Sequence, residues 1–171
     1  MTQAPREKPT LNRADAWLLA ALTEGSHDGR SVTLPDFLHD TDWLNRLLPT
    51  FDELSFGLPR LIAAGLLTVD NDATKGMVLQ ATPEAIRLGK SARRSGNALG
   101  GMTRAVGARV YPDADLPEDR SCGRLPGFEP EDLEAATTAY KEWFDRASKP
   151  YVAVGRLLAK LMRRGPAGRP R

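Results

Sequence analysis

Hydrophobic and polar positions in the first part of the chain follow helical spacing. Apolar residues repeat every three or four positions over residues 12–24, which predicts an amphipathic helix that Asn12 caps and Gly25 ends. A short apolar strand over 32–34 comes next. Thr33 and Pro35 then form a helix-start signature, so a second helix is expected from there towards Pro49.

A third helix is predicted by its termini. Thr50 and Glu53 have the spacing of a capping box, and Gly65 supplies a left-handed stop. Pro59 lies inside this segment and predicts a kink or a restart there. The predicted apolar stripe is Phe51, Leu54, Leu58, Leu61 and Ile62.

The pattern then changes to alternation. Residues 66–70 and 76–81 alternate apolar and polar positions around the polar segment 71–75, which predicts a two-stranded hairpin. The tripeptide Thr-Pro-Glu at 82–84 opens a fourth helix. Its predicted inward residues are Ala85, Ile86 and Leu88, and its basic face is Arg87, Lys90, Arg93 and Arg94.

The second half of the chain combines a glycine- and proline-rich stretch with further segments of helical spacing. Glycine and proline dominate 96–129, which predicts a flexible linker with a short helix near 102–108. Residues 130–164 predict two further amphipathic helices, one starting at Pro130 and one at Pro150, and 165–171 predict a disordered tail. Isolated amphipathic helices are only marginally stable in water, so these two helices should pack on the first domain or pair with a second copy of the chain.

The order of these elements carries a resemblance. The segments Leu61-Ile62-Ala63-Ala64-Gly65-Leu66-Leu67 and Leu79-Gln80-Ala81-Thr82-Pro83-Glu84-Ala85 resemble the third helix, wing and exit helix of bacterial winged-helix regulators of the multiple-antibiotic-resistance and phenolic-acid-repressor types. The resemblance covers residues 11–95. It implies a mainly α fold with a small β-hairpin: a winged helix-turn-helix domain at 11–95 with a C-terminal helical extension at 130–164.

This resemblance implies a DNA-binding transcriptional regulator, with a recognition helix at 51–64, a wing tip at 71–75 and a homodimer formed through the C-terminal helices. Winged helices also serve as protein–protein interaction modules without DNA binding. That alternative, in which the acidic face and the apolar third helix bind another protein through Phe56 and Pro59, stays open. For double-stranded DNA, the candidate contact residues are Ser55, Phe56 and Arg60 near bases, Lys75 in the wing, and Arg87, Lys90, Arg93 and Arg94 on phosphates. The last four also fit an ordinary solvated helix face.

Charge weakens the DNA interpretation locally. The expected recognition helix begins with Asp52 and Glu53, and Asp70 and Asp72 outweigh Lys75 in the wing. Charge is also segregated along the chain, with seven basic and no acidic residues over 149–171, against ten acidic and four basic over 113–148. Such blocks can attract nucleic acid, or each other across a fold or dimer.

No motif predicts catalysis, so we expect a protein that is not an enzyme and that has no cofactor or metal. Cys122 is the single cysteine, and no phosphate-binding loop fits Gly89-Lys90-Ser91 because its first glycine would fall at Glu84. His39 among acidic residues is more typical of a solvated helix end than of a metal site. No apolar run is long enough for a membrane span, and we expect a cytoplasmic protein.

Overall fold

The computed structural model describes residues 9–25, 29–94, 98–107, 120 and 122–163, with the helical backbone alone over 151–163. The described part of the chain is mainly helical, with a small three-stranded antiparallel sheet. In chain order the elements are α1 (Arg13–Gly25), β1 (Val32–Thr33), α2 (Leu34–Asn45), α3 (Phe51–Ala63), β2 (Leu67–Asp72), β3 (Gly76–Ala81), α4 (Pro83–Arg94), α5 (Ala98–Ala105) and α6 (Pro130–Arg163).

The core is built around α1, which is buried along most of its length and contacts α2, α3, α4 and α5. The sheet has the order β1-β3-β2, so the predicted hairpin gains a third strand. Val32 pairs with Leu79 and Leu67 pairs with Ala81. These strand residues are buried in the same hydrophobic core as the helices, so the sheet and the helices share one core.

The predicted start of α2 and both predicted ends of α3 are confirmed. Thr33 caps α2 by accepting a bond from the Asp36 N–H. At α3, the Thr50 hydroxyl accepts from the Glu53 N–H and the Glu53 carboxylate accepts from the Thr50 N–H at 2.7 Å. Gly65 has a φ of 74°, the left-handed stop that was predicted. Local side-chain chemistry therefore sets where these helices begin and end.

One detail of the predicted inward faces is wrong, because Ile62 of α3 is 38% exposed. In α4 the prediction is confirmed: Ala85 is buried, and Ile86 and Leu88 are partly buried against the core. Gly89 and Ala92 of α4 are buried as well. Gly89 lies so close to α1 that an added Cβ would stand 2.6 Å from the Thr23 hydroxyl oxygen, so small residues form this interface.

The linker prediction for 96–129 needs correction where the structure describes it. Residues 98–105 form α5, which packs on α1 and α4 and buries Met102. Further along, Leu125 and Phe128 are buried in the core cluster. These apolar side chains offset the flexibility that the neighbouring glycines and prolines favour.

The C-terminal region also differs from its prediction. Residues 130–163 form one helix that continues through Pro150, rather than two helices. Proline removes one backbone bond, and the neighbouring bonds can hold the helix together on either side. The first half packs on α2 and buries Ala136 and Tyr140, as one of the two predicted alternatives required. The predicted tail at 165–171 lies outside the described residues.

None of the helices that the structure describes combines the length and the apolar character needed to cross a membrane.

Candidate functional site

The structure places the predicted base-contacting residues of α3 in the interior. Arg60 is 1% exposed, Ser55 is 0% exposed and Phe56 is 5% exposed. A side chain that solvent does not reach cannot contact a base edge in this conformation. The expectation that these three residues read DNA therefore has to be corrected.

Arg60 is buried because it pairs with Asp15 of α1. Its Nε donates to one carboxylate oxygen of Asp15 at 2.9 Å and its Nη2 donates to the other at 2.8 Å, a two-bond pair between planar groups. Asp15 also accepts from the Asn12 N–H at 2.9 Å. This pair joins α3 to the start of α1, so Arg60 holds helices together.

Gly57 makes the close approach of α1 and α3 possible. A Cβ at this position would lie 2.9 Å from Leu18 Cδ1 and 3.0 Å from Asp15 Oδ1. Glycine weakens a helix interior by about 1 kcal/mol relative to alanine. Here it removes a side chain that would separate the two helices and disturb the buried ion pair.

The outer side of α3 is covered by another part of the chain, which we call the covering segment: residue 120 together with residues 122–128. Phe128 stacks on Phe51 with ring centroids 5.3 Å apart. The guanidinium of Arg120 lies 4.5 Å from the centre of the Phe56 ring, and that of Arg124 lies 5.2 Å from it. Arg124 also forms an ion pair with the exposed carboxylate of Asp52 in α3, with its Nη2 atom 3.8 Å from Oδ1.

Pro59 explains how the covering segment is anchored. Proline has no N–H, so the carbonyl of Ser55, four residues earlier, has no helical partner. The Leu125 N–H donates to this carbonyl at 2.8 Å. A residue predicted to interrupt α3 thus provides a hydrogen-bond acceptor on its surface, and the helix continues as one element.

The wing tip is exposed, and its Asp72 together with the adjoining Asp70 outnumbers Lys75. The carboxylate of Asp72 accepts hydrogen bonds from the backbone N–H groups of Thr74 and Lys75 at 2.8 and 3.0 Å, and a third from the Thr74 hydroxyl. All three bonds lower the pKa of Asp72, and the bond from the hydroxyl has the largest effect. Asp72 therefore stays ionised and fixes the turn. Lys75 is exposed beside it.

The four predicted phosphate contacts on α4 are only partly available. Arg87 forms two bonds to Glu84 within its own helix, and Arg93 bonds Glu24 at 2.9 Å and the Thr23 carbonyl at 3.2 Å. Lys90 and Arg94 are exposed. The main packing partners of α4 among the described elements are α1, α5 and β3.

The largest exposed aromatic groups lie elsewhere, on a surface that sequence reasoning missed. Trp43 of α2 is 66% exposed, and Trp143 and Phe144 of α6 are 47% and 49% exposed. Together with Tyr140 and His39 they form what we call the aromatic surface, which borders an open groove of about 250 Å³. One signal was present in the sequence, because Trp43 lies off the buried stripe of α2 formed by Leu34, Phe37, Leu38 and Thr41.

Contacts among these residues order the aromatic surface. The Tyr140 hydroxyl donates to the Asp42 carboxylate at 2.7 Å, and burial together with this bond raises the pKa of Tyr140 to about 12. The His39 ring meets the Trp143 ring edge-on at 4.8 Å. The aromatic surface is therefore a fixed arrangement and not a set of independent side chains.

Arg46 ends α2 in an unusual backbone conformation. Its φ is 57°, a left-handed value that costs a residue with a Cβ about 1–2 kcal/mol. Its N–H bonds the Asp42 carbonyl at 2.7 Å, and its guanidinium lies 5.6 Å from the Trp43 ring centre. This cap supports the edge of the aromatic surface.

The histidine and carboxylates near this surface do not form a metal site. The Nδ1 atom of His39 lies 3.4 Å from the Oδ1 atom of Asp40. Burial is the main cause that raises the pKa of Asp40. Within the part of the chain that the structure describes, no group of three or more metal-ligating side chains comes together.

Comparison of the chain with protein-family models, with curated proteins and with solved structures gives no match.

Proposed function

We propose that this chain is a winged helix-turn-helix protein that works as a protein–protein interaction module, and that the aromatic surface is where it binds protein. The order of helix, strand, two helices, hairpin and helix supports the fold, as does a sheet in which the hairpin pairs with the strand after α1. Because this fold serves both DNA and protein recognition, the choice between them rests on the surfaces.

The observation that carries the proposal is the exposure of Trp43, Trp143 and Phe144 together. Large aromatic side chains are enriched in the centres of protein interfaces, where each can contribute 2 kcal/mol or more, roughly. Contiguous exposed apolar groups on a folded protein mark such sites. The ordered contacts around Tyr140 and Trp143 reduce the entropy that binding would cost.

The condition of α3 supports the same choice. The covering segment packs on Phe51 and Phe56 of α3, and Arg60 is bonded to Asp15. DNA reading through Phe56 and Arg60 would require these contacts to break. The earlier alternative in which Phe56 and Pro59 contact a protein is disfavoured for the same reason, because both are buried.

Site-specific photo-cross-linking in cells tests the proposal. A cross-linking amino acid replaces Trp43 in one variant. In a matched control variant it replaces Ile62, an exposed position of α3. We expect protein adducts from position 43 in at least about tenfold excess over position 62, because only position 43 lies in the proposed interface. Equal yields from the two positions, or no adduct from position 43, would exclude the aromatic surface as the interface.

DNA binding is the second candidate, and the exposed positive charges of Lys75, Lys90 and Arg94 favour it. Its test is fluorescence anisotropy of labelled duplex DNA at low and moderate salt, with Lys90→Glu/Arg94→Glu as the comparison. Phosphate contacts would give affinity that falls steeply with salt and weakens in the variant. Absence of binding at low salt would eliminate this candidate.

A further inference from the structure

We propose that the aromatic surface binds a positively charged segment of another protein, with an arginine side chain of that partner lying on the exposed rings and pairing with the Asp42 carboxylate. This inference rests on the proposed function, because it names the chemistry of the partner that the same surface takes. Three features of the surface support it: the exposed rings, a carboxylate in the same groove, and the charge of the two helices that form the groove.

The exposed rings offer the flat faces on which a guanidinium group binds. Trp43, Trp143 and Phe144 are each about half exposed or more. The face of an aromatic ring carries partial negative charge, so it attracts a cation within about 6 Å of the ring centre, and tryptophan attracts it most strongly. Arginine suits such a face better than lysine, because its guanidinium is planar and only weakly hydrated.

Arginine already lies on aromatic rings elsewhere in this chain. The guanidinium of Arg46 is 5.6 Å from the centre of the Trp43 ring. Those of Arg120 and Arg124 are 4.5 and 5.2 Å from the centre of the Phe56 ring, where the covering segment packs on α3. A short arginine-bearing segment packed against a helical aromatic residue is thus an arrangement that the fold contains. We expect the partner segment to make the same type of contact on the aromatic surface.

Asp42 supplies an acceptor for the same guanidinium. Its carboxylate lines the groove that the aromatic residues border. The Tyr140 hydroxyl donates to the Oδ2 atom of Asp42 at 2.7 Å, which holds the carboxylate in place. A carboxylate has two oxygens that can each accept more than one hydrogen bond, so this bond leaves room for a further donor. The N–H groups of arginine match the geometry of a carboxylate.

The two segments that form the groove are acidic overall. Residues 34–46 contain three acidic and one basic side chain, and residues 130–148 contain five acidic and two basic ones. Acidic residues therefore outnumber basic ones by eight to three around the aromatic surface. Such a field raises the rate at which a basic partner associates and opposes an acidic partner. Charge complementarity thus selects a cationic segment over an anionic one.

The size of the groove fits a short segment. Its lining runs along α6 from Tyr140 to Ser148, which is about 12 Å at 1.5 Å per residue. About four residues of extended chain cover that length. The groove can therefore take an arginine and its immediate neighbours, rather than a long helix.

Fluorescence anisotropy of a labelled peptide of alternating arginine and alanine, titrated with the full chain, tests this proposal. Two further peptides replace every arginine with lysine or with glutamate. We expect saturable binding of the arginine peptide, at least about threefold weaker binding of the lysine peptide, and no binding of the glutamate peptide. Equal or tighter binding of the glutamate peptide would overturn the proposal.

Two variants locate the binding on the aromatic surface. Trp143→Ala/Phe144→Ala should weaken binding of the arginine peptide at least about tenfold, because both ring faces are lost. Asp42→Asn should weaken it about three- to tenfold, since an amide oxygen can still accept from Tyr140 but carries no charge. The matched control Glu134→Gln removes one exposed negative charge of α6 outside the groove and should change affinity less than about twofold. Far-UV circular dichroism verifies that each variant is folded.

Arg46 tests the sign of the partner's charge. Its guanidinium lines the groove, where it would repel an arginine of the partner and attract a carboxylate. Arg46→Asn removes this charge, and asparagine tolerates the left-handed φ of 57° at this position. The arginine peptide should bind this variant as tightly as the wild type or up to about threefold more tightly. Binding weakened at least about threefold would contradict a cationic partner.

Two further results would overturn the proposal: no binding of the arginine peptide up to about 1 mM, the weak end of specific affinity, or binding that the aromatic substitutions leave intact. Cross-linking from position 43 separates these failures from failure of the proposed function. Adducts with another protein, without binding of the arginine peptide, would refute the basic partner and leave the interaction function standing. Adducts that map to this chain itself would also overturn the inference. Absence of both adducts and peptide binding would refute both proposals.

Discussion

At the scale of single residues, the most consequential contact is the buried pair between Arg60 and Asp15. A charged residue on a predicted recognition helix looks like a DNA contact in the sequence. It becomes a structural residue only because its partner, 45 positions away, is brought beside it by the packing of α1 on α3. Spacing along one helix contains no information about that partner, so the sequence could not reveal it.

Replacing one member of this pair should be strongly destabilising. Arg60→Ala removes the two hydrogen bonds that Arg60 donates to the buried Asp15 carboxylate, and we expect a loss of about 3–5 kcal/mol in the free energy of unfolding. Urea denaturation at neutral pH measures it. The double variant Asp15→Leu/Arg60→Met should lose less than the sum of its single variants, because the two side chains interact directly. Additive losses would contradict a coupled pair.

Gly89 offers a test of close helix packing. Gly89→Ala would place a methyl group 2.6 Å from the Thr23 hydroxyl oxygen of α1. The strain should exceed the gain in helix propensity of about 1 kcal/mol, so we expect net destabilisation of about 1–2 kcal/mol in thermal or urea unfolding. Lys90→Ala, one position further and exposed, is the control and should change stability by less than about 0.5 kcal/mol. A stabilised Gly89→Ala variant would show that α4 and α1 are further apart.

The Tyr140–Asp42 bond predicts a specific pH dependence. The folded pKa of Tyr140 is about 12, above its ordinary value of 10, so the unfolded chain releases this proton at lower pH than the folded chain does. The stabilisation from the neutral phenol is complete below pH 10 and falls between about 10 and 12. The stability difference between wild type and Tyr140→Phe should therefore shrink over that range in urea titrations. A difference that stays constant to pH 12 would contradict the raised pKa.

At the scale of elements, the sequence predicted best where a helix is defined by its own ends. The capping box of Thr50 and Glu53 and the stop at Gly65 are local, and α3 begins and ends where they indicate. The sequence predicted a kink or a restart at Pro59 and a new helix at Pro150, but neither proline divides its helix. At Pro59, the Ser55 carbonyl that lacks a helical partner accepts a bond from the distant Leu125 N–H.

The covering segment should behave as part of the folded core. Phe128→Ala removes the ring that stacks on Phe51 and should cost about 3–4 kcal/mol of stability, because Phe128 is 3% exposed. Hydrogen exchange should then show faster exchange of the Leu125 amide, which bonds Ser55. Glu129→Ala, an exposed position directly after the segment, is the control and should leave that amide protected. An unprotected Leu125 amide in the wild type would show that the segment does not cover α3.

At the scale of the whole molecule, most residues that the sequence assigned to DNA are buried or paired, whereas Lys75, Lys90 and Arg94 are exposed. The most exposed aromatic groups among the described residues lie on α2 and α6. Exposure depends on which elements cover each other, and that is a property of the tertiary arrangement rather than of local pattern. The stripe of α6 was visible in the sequence, but it did not show that Tyr140 is buried while Trp143 and Phe144 stay about half exposed. This incomplete coverage is the basis of the proposed interaction.

The most direct test of that account is hydroxyl-radical footprinting of the protein, comparing dilute purified protein with the protein inside cells. We predict that Trp43, Trp143 and Phe144 are oxidised readily in the dilute sample and protected severalfold in cells, while buried Trp17 and Phe56 react slowly in both. Equal oxidation of Trp43, Trp143 and Phe144 in the two samples would contradict the claim that this aromatic surface is the binding interface.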